Sequence, residues 1–181
     1  MASTAGPELI GLAQRTLRDL RLRVAGASGG GPDALREAGY AGAASLFDAF
    51  ETWLADSGWP NAEDLPLDEF SERAGEFFQN AGWGRVTFRS LHDALAVIDI
   101  EGCWEAQLHG EGERGCHLTT GTLAGFLGCL ADYPVAVMEI ACTVGGTRRC
   151  RFLAGNSEML EHAYDRVARG ESWETIGAGE F

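Results

Sequence analysis

The chain has 181 residues and is 45% hydrophobic, which suits one compact domain with its own core and leaves no room for two large ones. Its 27 acidic and 14 basic side chains give a net charge near −13, which disfavours direct binding to nucleic acid or to anionic membrane surfaces. The longest uncharged stretch, residues 118–131, is too short to span a bilayer.

The N-terminal residues lack the basic and apolar regions of a secretory signal, so we expect a cytoplasmic protein. In a reducing compartment, the five cysteines are expected to be thiols or metal ligands instead of a disulfide framework.

Residues 8–24 are predicted to form an amphipathic helix, because apolar residues recur there at helical spacing. Four arginines make this helix basic, and we expect them on a solvated face: Arg15, Arg18, Arg21 and Arg23. The glycine-rich residues 26–32 then interrupt the chain. The sequence is therefore divided into an N-terminal helix with its linker, residues 1–32, and a main domain, residues 33–181.

Two further helices are predicted next. Asp33 is expected to cap the first, which ends near residues 58–60. Its small-residue stretch, residues 39–45, is expected to pack closely against a sheet or a second subunit. The next helix is predicted from Leu67 or Asp68 to about residue 80.

Residues 85–115 are predicted to form two or three antiparallel strands, with a turn near residues 91–93 and a loop at residues 110–115. The prediction follows from apolar residues at the two-residue period: Val86, Phe88, Ala96, Ile98 and Ile100. A helix is predicted over residues 116–133, followed by two strands around a Gly145-Gly146 turn. A last helix begins with Ser157 as its cap. These elements predict an α+β fold, in which helices flank one antiparallel sheet.

Four residues near the predicted hairpin have side chains suited to a metal ion: Cys116, Glu139, Cys142 and Cys150. A two-residue turn would set Cys150 opposite Ala141, so one bulge could bring the two hairpin sulfurs together. Glu139 and Cys142 would face opposite sides of a regular strand, so a shared site needs a bulge or a strand end between them. The spacing alone leaves open that both hairpin cysteines are ordinary buried strand residues and that Glu139 is exposed.

The segments CHLTTGTLAGFLG, residues 116–128, and VMEIACTVGGTRRCRF, residues 137–152, resemble the 4-vinyl reductase domain family. Weaker similarity extends the resemblance to residues 33–170. This bacterial-type family is related in fold to small TRAPP vesicle-tethering subunits and includes the sensor domains of phenol-responsive transcriptional activators. The resemblance implies one structural Zn²⁺, held by Cys116, Glu139, Cys142 and Cys150 beside a hydrophobic ligand pocket.

Other residues near the implied zinc site are given lesser roles. Three arginines are expected to offset its negative charge: Arg148, Arg149 and Arg151. Cys103 and Cys129 are expected to be small buried hydrophobes. His117 is expected to be a polar surface group, although it could substitute as a ligand.

The resemblance implies a sensor domain that binds a small hydrophobic or aromatic molecule and signals through another protein. Five aromatic residues could line its pocket, although each could instead be ordinary core: Trp83, Phe88, Trp104, Phe126 and Tyr133. The sequence contains no dinucleotide fingerprint or nucleophile set at convincing spacing, so independent enzymatic activity is not expected. The alternatives are a tetrapyrrole carrier, an accessory protein of a 4-vinyl reductase, and a homodimeric scaffold.

Overall fold

The computed structural model describes residues 11–92, 95–108, 115–143 and 146–173. The elements within these ranges follow one another in this order: α1 (Gln14–Gly26), α2 (Pro32–Asp56), a 3₁₀ turn (Ala62–Asp64), α3 (Leu67–Asn80), β1 (Arg85–His92), β2 (Leu95–Glu101), α4 (Trp104–Gln107), α5 (His117–Ala131), β3 (Ala136–Ala141), β4 (Cys150–Gly155) and α6 (Ser157–Ala168). None of the helices in these ranges is long and apolar enough to cross a membrane.

The four strands form one antiparallel sheet in the order β1-β2-β4-β3. β1 pairs with β2 and β3 pairs with β4, while the pairing of β2 with β4 joins the two hairpins. Between the hairpins the chain passes through α4 and α5. The predicted α+β class, with helices flanking an antiparallel sheet, is confirmed.

The two faces of the sheet bury different side chains, because neighbouring residues of a strand point to opposite sides. On one face Val86, Ile98 and Phe152 belong to the main core, which they share with α2, α3 and α5. On the other face Val97 and Leu153 pack with α6. The α5 face of the sheet carries the larger core, and it is this core that supports the metal cluster described below.

The small-residue stretch of α2 packs against α5 of the same chain. A Cβ atom added to Gly39 would lie 2.1 Å from the carbonyl oxygen of Leu118, and one added to Gly121 would lie 1.9 Å from that of Arg36. No side chain fits at such distances, so the glycines allow the two helices to touch through their backbones. The partner is therefore neither the sheet nor the second subunit that we expected. A homodimer stays a prediction, and it would need another surface.

Two helices begin differently from the sequence prediction. Asp33 does not cap α2: Gly31 is the N-cap and Pro32 is the first helical residue, where its missing N–H costs nothing. Ser157 does not cap α6, because Asn156 precedes it and accepts a hydrogen bond from the N–H of Met159 at 2.8 Å. Both caps lie earlier in the chain than predicted.

The remaining elements largely follow the predicted pattern. The break after α1, the bounds of α3 and the helix after Cys116 are confirmed. Residues 104–107 form a helical turn instead of a strand, and α1 begins at Gln14, not at Glu8. Part of the predicted turn at 91–93 and most of the predicted loop at 110–115 lie outside the described residues.

Candidate metal centre

Three elements bring four side chains together at one end of the β3–β4 hairpin. Cys116 immediately precedes α5, and Glu139 lies in β3. Cys142 follows the last residue of β3, whereas Cys150 is the first residue of β4. The predicted two-residue turn is wrong, because the connection runs from Cys142 to Arg149. This longer connection releases Cys142 from the side-to-side alternation of a strand.

A bulge in β3 further adjusts the hairpin. Glu139 pairs with Phe152, but Ala141 pairs with Arg151, so β3 has one residue more than β4 at this point. The bulge that the sequence required between Glu139 and Cys142 is confirmed. Together with the strand end, it allows the carboxyl group and the Cys142 thiol to reach the same place.

The three sulfur atoms form a nearly equilateral triangle. The Sγ of Cys116 lies 3.9 Å from that of Cys142 and 3.7 Å from that of Cys150, and the last two are 3.7 Å apart. Sulfurs that share one tetrahedral Zn²⁺ at bond lengths of ~2.3 Å lie ~3.8 Å from each other. With a carboxylate oxygen of Glu139, all four potential ligand atoms lie within 4.8 Å of one another. The cluster could therefore hold a metal ion.

The carboxyl group of Glu139 has one oxygen with a partner and one without. Its Oε2 accepts a hydrogen bond from the backbone N–H of Cys116 at 2.7 Å. Its Oε1 is buried and has no hydrogen-bond partner among the described residues. A buried polar atom without a partner destabilises the fold, and a cation bound there would remove that cost. The donor set thus fits a metal ion.

Negative charge is disfavoured in the metal-free cluster. Burial raises the pKa of Glu139 to about 7. Hydrogen bonding with Cys103, Cys142 and Cys150, together with burial, raises the pKa of the Cys116 thiol. Metal ions bind the deprotonated ligands, so metal binding at this cluster would release protons.

Two of the arginines expected beside the cluster instead serve a buried aspartate on the α6 face of the sheet. Asp99 Oδ2 accepts hydrogen bonds from Arg151 Nη2 at 2.8 Å and from Arg149 Nη1 at 3.2 Å. Burial opposes ionisation of Asp99, but the hydrogen bond and charge of Arg151, with the charges of Arg149 and Arg89, hold its pKa below the usual value. Arg148 is exposed.

The remaining cysteines and His117 take different positions. Cys103 is buried as predicted, but its Sγ lies 3.9 Å from that of Cys116, a proximity that no local pattern in the sequence indicated. Cys129 is exposed on α5, so the prediction that it is buried is wrong. His117 Nδ1 lies 3.0 Å from a guanidinium nitrogen of Arg36, outside the four-residue cluster.

The five aromatic residues considered for a ligand pocket lie in different surroundings. Phe88 and Phe126 are buried in the main core. Trp83 and Trp104 form an edge-to-face pair with ring centroids 5.5 Å apart. The buried Nε1 of Trp104 lacks a hydrogen-bond partner within the part of the chain that the structure describes. Tyr133 is exposed.

Tyr133 borders an open groove of about 270 Å³ between the C-terminal end of α5 and the sheet. Its walls are mainly aliphatic: Leu67, Leu95, Ala96, Leu127, Leu130 and Val135. The groove reaches Gly155 at the end of β4, whereas Cys150 of the metal cluster stands at the other end of the strand. Its volume is slightly below the ~300–1,000 Å³ of typical ligand pockets, so it suits a single-ring molecule.

A known family accounts for the segment that contains the cluster. Residues 96–156 match the vinyl-4-reductase domain, which is the 4-vinyl reductase domain of the sequence analysis. The match includes Cys116, Glu139, Cys142 and Cys150 and confirms the resemblance to that family. No curated protein matches the sequence.

Three solved structures show the fold that accompanies this family match. The phenol-responsive sensory domain of the transcription activator PoxR, crystallised with phenol, has a TM-score of 0.66 and 19% identity, covering 91% of this chain and 84% of that one. A vinyl-4-reductase family protein from Methanocaldococcus jannaschii has a TM-score of 0.54 and 16% identity, covering 81% and 83%. Trafficking protein particle complex subunit 3 from Naegleria fowleri, covalently bound to palmitic acid, has a TM-score of 0.54 and 14% identity, covering 78% and 89%. Identities this low establish a shared fold.

Proposed function

We propose that this chain is a small-molecule binding or sensor domain whose fold is held by one structural Zn²⁺ bound to Cys116, Glu139, Cys142 and Cys150. The observation that carries the metal assignment is the sulfur triangle, whose sides of 3.7–3.9 Å match the spacing of thiolates around one zinc ion. The unpartnered Oε1 of Glu139 supports a fourth ligand.

Zinc fits these donors better than a hard cation does. Thiolates are soft ligands that select zinc over magnesium or calcium, and three of them with one carboxylate complete a tetrahedron. A closed tetrahedron leaves no position for substrate or water, so the ion would tie α5 to the hairpin and would take no part in catalysis. Thiols this close stay reduced in a reducing compartment, which is why we place the protein in the cytoplasm.

Metal analysis of protein purified without added metal tests this assignment. We expect about one zinc per chain in the parent, and loss of that zinc in Cys142→Ala, which removes one ligand. Cys129→Ala is the matched control, because Cys129 is exposed and outside the cluster. A parent without zinc, or a Cys142→Ala variant that retains it fully, would refute the assignment.

The groove beside Tyr133 is the surface we propose for the small molecule. Its aliphatic walls would bury an apolar ring, while Ser90 and the Tyr133 hydroxyl could meet one polar substituent. The shared fold with a phenol-responsive sensory domain supports this class of ligand. Because the cavity is small, we propose a single-ring aromatic compound and a downstream protein that reads its binding.

Titration with phenol and with toluene, followed by a shift in melting temperature, tests the ligand proposal. Ala131→Phe would fill the groove and should abolish the shift, whereas Ala55→Phe, at an exposed position of α2, should leave it unchanged. A shift that is equal in both variants would move the ligand site elsewhere. No shift in the parent with either compound would contradict the single-ring class.

A further inference from the structure

The first turn of α5 is capped by a residue from another element. The N-cap residue of a helix normally uses its side chain to accept hydrogen bonds from the second and third helical N–H groups. Here the N-cap is Cys116, whose sulfur belongs to the metal cluster and makes no capping bond. Glu105 of α4 takes over, because its Oε1 accepts from Leu118 N–H at 3.2 Å and its Oε2 from Thr119 N–H at 2.8 Å.

The same carboxyl group anchors the N-terminal helix. Arg21 of α1 donates from Nε to Glu105 Oε1 at 3.2 Å, across 84 positions of sequence. The Glu105 side chain is fully buried and that of Arg21 is only 6% exposed, so both charges are withdrawn from water. Arg21 therefore departs from the solvated face that the sequence predicted for the arginines of α1.

We infer that Arg21 and Glu105 are positioning residues for the metal centre, so that docking of α1 and binding of the metal stabilise each other. Glu105 fixes the first turn of α5, and that turn fixes Cys116. The backbone N–H of Cys116 in turn holds Glu139. Two of the four ligands thus depend on where α5 begins. This inference rests on the proposed metal centre.

Charge explains why Glu105 needs the arginine. Three thiolates, one carboxylate and Zn²⁺ carry a net charge of about −2, and Glu105 would add another negative charge close to Cys116. The positive end of the α5 dipole offsets part of this charge, and the Arg21 guanidinium offsets more. If α1 leaves, a buried carboxylate next to an anionic metal site loses its counter-charge. Linkage then requires that metal loss weaken α1 docking by the same factor.

The test is chelator competition for zinc on the full chain. Loss of a residue that supports a metal ligand typically lowers metal affinity ~10–100-fold, so we expect at least a ~10-fold loss in Arg21→Gln. Arg18→Gln, an exposed arginine on the same helix, is the matched control and should bind zinc like the parent. Arg21→Lys retains the charge and should recover part of the affinity.

Two measurements separate this coupling from simple destabilisation. In Arg21→Gln/Glu105→Gln the carboxylate is absent, so this double variant should bind zinc more tightly than Arg21→Gln alone. In the parent, removal of zinc should speed amide hydrogen exchange along α1 as well as in the first turn of α5.

The outcomes also distinguish this inference from the function on which it rests. A parent that never binds zinc would defeat the proposed metal centre itself. A parent that binds zinc, with equal affinities in Arg21→Gln and Arg18→Gln or unchanged α1 exchange after zinc removal, would overturn only the coupling.

Discussion

Two glutamates lie on either side of the start of α5, and they differ in how completely they are partnered. Both oxygens of Glu105 accept backbone hydrogen bonds, and Arg21 supplies a positive charge. Glu139 has one backbone hydrogen bond and a second oxygen that is buried with no partner among the residues described. Glu105 is complete in the protein alone, whereas Glu139 is complete only with a cation.

The difference indicates how a structural carboxylate can be told from a ligand. Burial of a charged group is tolerated when hydrogen bonds and a counter-charge surround it, and it is unfavourable otherwise. A buried carboxyl oxygen without a partner therefore points to a ligand site. The four predictions below break or sharpen this contrast.

The largest effect is expected at Glu105. Glu105→Gln leaves the Arg21 guanidinium buried without its counter-charge, which should lower the free energy of unfolding by ~3–5 kcal/mol. Urea unfolding of the variant and of Glu161→Gln, an exposed control on α6, measures it. Equal midpoints for the two variants would mean that Glu105 is dispensable.

The next effect concerns pH in the metal-free protein. Burial raises the pKa of Glu139 from 4.5 to about 7, so the folded chain binds a proton that the unfolded chain releases within this window. The stability from this proton is present below pH 4.5 and is lost as pH rises through 7, with an upper limit of ~3 kcal/mol. Urea unfolding at pH 5 and pH 8 should show this loss in the parent and not in Glu139→Gln. The same pH response in both proteins would assign it to another group.

A third carboxylate extends the comparison to the other face of the sheet. Asp99 resembles Glu105, since Arg149 and Arg151 donate to it. Asp99→Asn should cost ~2 kcal/mol, the usual scale for hydrogen bonds to charged groups, and should leave zinc content unchanged. Thermal unfolding and metal analysis check both points, with the exposed Asp165→Asn as the control. Loss of zinc in Asp99→Asn would show that the two faces are coupled.

The smallest effect separates the roles most directly. Glu139→Gln should weaken zinc binding at least ~10-fold, or ~1.4 kcal/mol, because an amide oxygen is a poorer ligand than a carboxylate. The metal-free variant should unfold at the same urea concentration as the metal-free parent at pH 6. A metal-free variant that is strongly destabilised would make Glu139 a structural residue like Glu105.

Sequence reasoning succeeded where a pattern is local. The helical spacing before residue 80 gave α3, and the alternation of Val86 and Phe88 gave β1. The ligand set came from a resemblance, and the bulge in β3 followed from requiring Glu139 and Cys142 to share a site.

Sequence reasoning failed where partners are distant or nearly equivalent. Asn156 and Ser157 are both good caps, and no local rule chooses between them. Arg21 and Glu105 are separated by 84 positions, and Cys103 reaches Cys116 only because α4 forms a helical turn. Such contacts depend on tertiary packing, which a single sequence does not reveal.

X-ray absorption at the zinc edge, on protein purified without added metal, tests the central claim most directly. We expect a shell of three sulfur atoms at ~2.3 Å and one oxygen atom at ~2.0–2.2 Å. Absence of bound zinc, or a shell made only of oxygen and nitrogen atoms, would contradict the assignment of Cys116, Glu139, Cys142 and Cys150 as the metal centre.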